Sequence, residues 1–401
     1  MSFWKAGHKP TLFSAFLYFD LSFMVWVLLG PLAVQIAFDL NLTSAEKGLM
    51  VATPVLSGAF LRILMGILVE QFKPKMAGVI GQIIVIVSLF VAWFFGVHSF
   101  QQALILGGML GFAGASFAVS LPLASRWYPP EHQGTALGIA GAGNSGTVFA
   151  ALFAPSLAVA YGWNNVLGLA VLPLVVVLII YLILAKDSPD NPPAKSFADY
   201  VEVLKDKDSW WFMFFYCVTF GGFVGMASSL TIYFNDQYAL SAIHAGYFTA
   251  ACVFAGSLVR PIGGFFSDRF GGIKTLSWMY AIAATFLAIL SLNLNHQVAA
   301  LIVAMVTMIA LGMGNGAVFQ LVPQRFRKEI GIMTGIVGMA GGVGGFYLAS
   351  SLGFSKQITG SYSLGLIVFS LLALVALVGL TIIKNRWRTT WGSATVTTAK
   401  I

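Results

Sequence analysis

The sequence predicts an all-α membrane protein with twelve transmembrane helices in two six-helix, pseudo-symmetric halves. Three observations predict it: the composition, the number of apolar runs, and a set of residues that recurs about 198 positions along the chain. Of 401 residues, 58% are hydrophobic and 9% charged, with a mean hydropathy of +0.87. A soluble globular chain carries about 25% charged residues, so most of this apolar surface faces a bilayer.

Runs long enough to cross it, about 20 residues each, fall near 11–36, 46–70, 77–97, 101–124, 134–159 and 164–185. After a polar, proline-rich stretch, six more fall near 209–234, 243–266, 274–293, 298–322, 331–353 and 362–383. The expected organisation is therefore an N-terminal half (1–185), a linker (186–208), a C-terminal half (209–385) and a tail (386–401). MSFWKAGHKP leads into an apolar stretch too long for a signal-peptide core, so the first span is expected to be retained.

Lysine and arginine crowd the loops on one side, among them Lys73, Arg126, Lys186, Lys274 and Arg325, whereas only Lys47 and Lys356 fall on the other. The positive-inside rule then makes the linker and both termini cytoplasmic. The formal charge of +8 is dispersed over these loops rather than clustered, which argues against a nucleic-acid partner. Cys217 and Cys252 lie inside apolar runs and show neither a disulfide framework nor metal-ligand spacing. No metal and no cofactor is expected, and membrane lipid is the surrounding solvent.

The repeat carries the chemistry. Gly58, Arg62, Gly66 and Glu70 on the second span recur as Gly256, Arg260, Gly264 and Asp268 on the eighth. Gly134, Gly138 and Gly141 on the fifth recur as Gly331, Gly335 and Gly338 on the eleventh. An arginine at a helix centre costs about 2.5–3.5 kcal/mol on insertion scales. Snorkelling is a poor explanation for Arg62, because Glu70 lies eight residues away, about 12 Å at helical rise. Salt bridging is poor too, since Asp20 is the one carboxylate away from the ends of the apolar runs. Two cations against one anion leave a positive charge that an anionic ligand completes. The guanidinium's planar fork of donors suits planar oxyanions such as a carboxylate or nitrate.

Around the arginines, glycine is dense in GIAGAGNSG (138–146) and GIVGMAGGVGGF (335–346), which implies close helix packing or local bending. Asn144 sits among those glycines as a buried amide, suited to an anion contact or to an interhelical hydrogen bond. Phe23, Phe117 and Phe319 lie mid-span, and Tyr216 and Phe220 share a helix face. Asp20 shares a face with Phe23 and Val27 and is a candidate proton carrier; its other reading is a cap or water-bonded carboxylate near the cytoplasmic mouth.

GFFSDRFGG (264–272) and its degenerate copy GILVEQFK (66–73) resemble the loop motif of the major facilitator superfamily. The two glycine-rich segments resemble the signature motifs of its nitrate/nitrite porter family, most closely the bacterial assimilatory nitrate transporters. GFAGASFAVSLPLASRWYPP (111–130), FYCVTFGGFVG (215–225) and GMGNGAVFQLVPQRF (312–326) extend the resemblance over nearly the whole chain. The resemblance implies that Arg62 and Arg260 bind the anion, with Asn144, Gly141 and Gly143 of the signature segment, Tyr216 and Phe220 on the seventh span, and Phe23, Phe117 and Phe319 as walls. It also implies that Gly66, Glu70, Gly264, Asp268 and Arg269 form the gating loop motif.

Two positions depart from the pattern: a methionine of some relatives is Val27 here, and Asp20 stands where exchanger-type relatives are apolar. The expectation is a monomeric secondary transporter that imports nitrate, and nitrite with it, by alternating access with a proton as coupling ion. Nitrate/nitrite exchange, a formate- or oxalate-type carrier and an anion channel are the rival readings. No span carries a nucleophile–base pair, metal cluster or phosphate loop, so an enzyme is not expected.

Overall fold

A computed structural model describes residues 3–189, 197–326 and 329–391, and these form helices without strands. The linker's residues 190–196 and the tail's 392–401 lie outside the described residues. Among the described residues, eleven helical segments are long and apolar enough to cross a membrane. One of them, Ser44–Phe95, has 52 residues, about 78 Å at helical rise, against a hydrocarbon core of about 30 Å. Lys73, at φ 67 and ψ 157 before Pro74, breaks it into two antiparallel crossings, at a position where proline disfavours helical geometry. The described residues therefore make twelve crossings.

In order, the spans cover 9–39, 44–72, 74–95, 100–125, 130–161, 163–184, 207–238, 242–270, 272–290, 297–325, 330–359 and 363–389. The first breaks at Val27–Leu28, the fourth at Ala115–Ser116, the fifth at a tight turn over Ala142–Ser145, and the eighth at Val259. A short helix, Phe197–Leu204, stands in the linker. The seventh span starts before the expected 209 and the twelfth runs past the expected 385. Asp206 caps the seventh, accepting from the Asp208 N–H at 2.8 Å. Buried Asp208 then pairs with Arg325 and Arg386 and accepts from the Trp387 indole at 2.7 Å. Satisfied ion pairs hold as helix what composition alone reads as linker and tail.

These contacts also place the ends of the spans. The Trp387–Asp208 bond puts the end of the twelfth span beside the start of the seventh, and Thr11 accepts from the Lys186 N–H at 2.9 Å, which puts the start of the first span beside the end of the sixth. Call this the terminal face. On the opposite face the halves close on each other: first span on seventh, second on eleventh, fifth on eighth. The approach is close enough that a Cβ on Gly48 would fall 2.8 Å from the Gly353 Cα. Toward the terminal face the halves part, and a Cβ on Gly138, Gly141, Gly264, Gly331 or Gly335 would meet nothing within 4 Å.

Candidate functional site

Arg62 lies mid-way along the second span and is 2% exposed. Its Nε donates to the Gly114 carbonyl at 3.2 Å, and its Nη1 donates across the halves to the Gly338 carbonyl. Its Nη2 is buried without a partner. Three rings enclose the guanidinium: Trp26 at 5.3 Å, Phe117 at 5.4 Å and Phe220 at 5.2 Å. Such stacking stabilises a cation taken out of water.

Arg260 stands at the break of the eighth span, where Pro261 at the first helical turn restarts the helix. Its Nη2 donates to the Tyr216 hydroxyl at 3.4 Å, its Nη1 is buried without a partner, and its guanidinium faces Phe319 at 5.7 Å.

The rings join the two arginines into one frame. Tyr216 stacks on Phe220 at 5.0 Å and meets Phe319 edge-on at 5.0 Å, and Phe319 meets Phe117 at 6.3 Å. Among the described residues neither arginine has an ion pair. Buried Arg62 and half-buried Arg260 therefore share one aromatic enclosure, each with one buried N–H group unsatisfied, and leaving such a donor unpaired is costly. The arrangement is complementary to a small anion with several acceptor oxygens.

Not every expected residue enters that frame. Phe23 reaches it through Trp26, at 4.6 Å, and Phe19, at 4.2 Å. Gly143 packs on Phe19, Gly141 faces open space, and buried Asn144 has a partnerless Oδ1. These three residues form the wall of the fifth span, with no contact to either guanidinium among the described interactions. Asp20 pairs with neither arginine there; it accepts from the Ser145 hydroxyl at 2.7 Å, on the tight turn that also carries Asn144. The fifth span comes so close that a Cβ on Gly146 would lie 1.7 Å from the Asp20 carbonyl oxygen.

In the loop motif, Glu70 pairs with Arg126 at 2.8 Å and Gly66 lies against the Tyr200 hydroxyl of the linker helix. In the second half, Gly264 faces open space, Asp268 accepts from Gln320 at 3.2 Å and Arg269 faces Phe270 at 5.4 Å.

Sequence reasoning missed Trp26. The available signal was its place one turn after Phe23, opposite the small residues Gly58 and Gly114, but nothing in the sequence shows that those glycines face it.

Residues 12–349 match the family model of the Major Facilitator Superfamily. The chain is 31% identical over 357 residues to a protein of Bacillus subtilis named a nitrite extrusion protein, covering 89% of each. It is 31% identical to a probable nitrate transporter of Staphylococcus carnosus, over 89% of this chain and 91% of that one. A probable nitrate/nitrite antiporter of Thermus thermophilus is 29% identical, over 89% and 87%. In fold, it is similar to a bacterial homologue of the human lysosomal transporter Spinster, with a TM-score of 0.70, 18% identity and coverage of 93% and 96%. The twelve crossings, the internal repeat and these relatives agree: the chain belongs to the nitrate/nitrite porter family of the major facilitator superfamily.

Proposed function

We propose that this protein is a secondary transporter that imports nitrate, with nitrite as a second substrate, by alternating access of its two halves around Arg62 and Arg260. One observation carries the reading: the two arginines share an aromatic frame, lack ion pairs among the described residues, and each hold an unpartnered buried N–H. A planar oxyanion placed between them accepts from both forks at once, while the rings exclude the water a strongly hydrated ion would keep. The names of the relatives, nitrate and nitrite transporters among them, support the same cargo.

The lysine and arginine distribution supports a cytoplasmic terminal face in the inner membrane, so the state described here opens inward. We take the working unit to be a monomer, because a single chain supplies both halves of the site. The test is nitrate binding to purified Arg62→Lys and Arg260→Lys. Each keeps the charge and loses the fork, and the expected loss of affinity is about tenfold or more. Wild-type affinity in both variants overturns the reading.

Proton-coupled uptake is the favoured driving mode, with Asp20 as the carrier of the proton. Its bond to Ser145 ties its charge to the turn that bears Asn144, so protonation acts on the fifth-span wall rather than directly on an arginine. Exchange of nitrate for nitrite is the second reading, favoured by the absence of an Asp20–arginine pair among the described residues: the empty site keeps both positive charges, which opposes its closure without an anion. Nitrate flux into proteoliposomes with a pH indicator separates the two. Uptake indifferent to a proton gradient and to Asp20→Asn sinks coupling and leaves exchange.

A further inference from the structure

We propose that Trp26 is a positioning residue of the anion site, holding the Arg62 guanidinium so that its free Nη2 faces the anion; this rests on the reading of Arg62 as an anion ligand.

Trp26 is fully buried, and its ring lies 5.3 Å from the Arg62 Cζ. A buried tryptophan more often serves only as packing, but three contacts tie this one to Arg62. Its Nε1 donates at 2.7 Å to the Pro54 carbonyl, which lies on the same helix as Arg62, about two turns earlier. The ring occupies space left by Gly58 and Gly114: a Cβ on either would lie 2.9 Å or 2.3 Å from the Trp26 Nε1. Gly114 is also the residue whose carbonyl receives the Arg62 Nε.

One wedge on the first span thus packs against the second-span backbone that carries Arg62 and the fourth-span segment that receives its Nε, and its face covers the guanidinium. Trp26 further lies nearly parallel to Phe220 at 6.5 Å, 15° between planes. It roofs the frame on the side where the halves are closed. Of the guanidinium's donors, Nε and Nη1 are held by carbonyls, and the ring restricts rotation that would turn Nη2 away. A side chain kept in its binding rotamer loses less entropy when the anion arrives.

The experiment measures nitrate affinity of purified Trp26→Phe and Trp26→Leu, alone and combined with Arg62→Lys, together with saturation curves for uptake. Phe keeps a ring and loses the N–H anchor; the expected loss of affinity is about threefold. Leu loses both, and the expected loss is about thirtyfold, the size of a desolvated cation–π contact. In both variants the loss falls on half-saturation, with maximal rate kept within about twofold. Combined with Arg62→Lys, each change costs much less than alone, because coupled residues are non-additive. Should the Leu variant fail to fold, the Phe cycle decides alone. Additive losses, or a lower maximal rate at unchanged half-saturation, assign Trp26 to packing and overturn the proposal. Unchanged affinity in Arg62→Lys by itself removes instead the reading of Arg62 as an anion ligand, on which this proposal rests.

Discussion

Lys47 of the second span and Asp236 of the seventh pair at 2.9 Å across the two halves, on the face where they close. The Tyr362 hydroxyl donates to the same carboxylate at 2.7 Å, and the Lys356 ammonium stands 5.3 Å from the Tyr362 ring. Of the two lysines that the sequence places on that face, Lys47 thus pairs with the carboxylate and Lys356 stands over the ring of the tyrosine that donates to it. Each partner of the pair is about one-sixth exposed, between the surface regime, where such pairs contribute little, and the buried one, where breaking them costs several kcal/mol. Asp236→Asn is expected to raise the population open on that face about fivefold. Spin labels at Asn41 and Ala239, exposed residues on either half, report it as a longer distance component. An unchanged distance distribution removes the pair as a latch.

Glycines of the fifth span divide into two kinds. Gly146→Ala places a methyl 1.7 Å from the Asp20 carbonyl oxygen, so the first and fifth spans must separate, and overpacking of this sort costs about 1–3 kcal/mol or more. Gly138→Ala meets open space and gains helix propensity of about 1 kcal/mol. Melting of the purified variants is expected to fall clearly for the first and to hold for the second. Equal melting of the two contradicts the close packing at Gly146.

Tyr216→Phe removes the hydroxyl that receives the Arg260 Nη2 and leaves the ring that stacks on Phe220. A hydrogen bond to a charged group contributes about 1.5–3 kcal/mol, and the 3.4 Å separation puts this one at the weak end. Calorimetry is expected to show nitrate binding weakened about three- to tenfold with the fold intact. Undiminished binding means that the hydroxyl neither orients Arg260 nor meets the anion.

The N-terminal cap carries a pH dependence. His8 Nδ1 accepts from the Thr11 N–H at 3.2 Å, and an imidazole accepts there only when that nitrogen is unprotonated. Burial, and then the Lys186 charge, lowers the His8 pKa below its ordinary 6.5. The folded state therefore resists protonation more than the unfolded one. The cap's stabilisation is present above pH 6.5 and is lost as pH falls from there through the lowered value. Hydrogen-exchange protection of the Thr11 amide is expected to drop over that interval. His8→Asn, which keeps a capping acceptor without titrating near neutrality, is expected to show a flat profile. A wild-type profile flat over the same interval contradicts the cap.

Much of the site was legible because a bilayer makes rare residues informative. Arg62 and Arg260 stand out since lipid penalises them, and the repeat pairs them without coordinates. Phe117, Phe220, Tyr216 and Phe319 were readable as candidates and do form the frame. Phenylalanine occurs 34 times in the chain, however, so their ring-to-ring order was not. Trp26 was missed because a tryptophan on an apolar span resembles packing until its distance to a guanidinium is known. Asp20 was legible as an unusual carboxylate, but its partner was not, since Ser145 lies 125 residues away on a different helix.

The sequence by itself determined the solvent, the helix length, the duplication and the sign of the cargo. These follow from local hydropathy and from charges that lipid tolerates only with a partner. Tertiary structure alone decided which arginine donors are satisfied and which stay free. It also decided that Asp20 answers to the fifth span and that the halves close opposite the termini. Each depends on how helices from distant parts of the chain approach one another, and a glycine that admits a neighbour reads the same in sequence as one that faces open space.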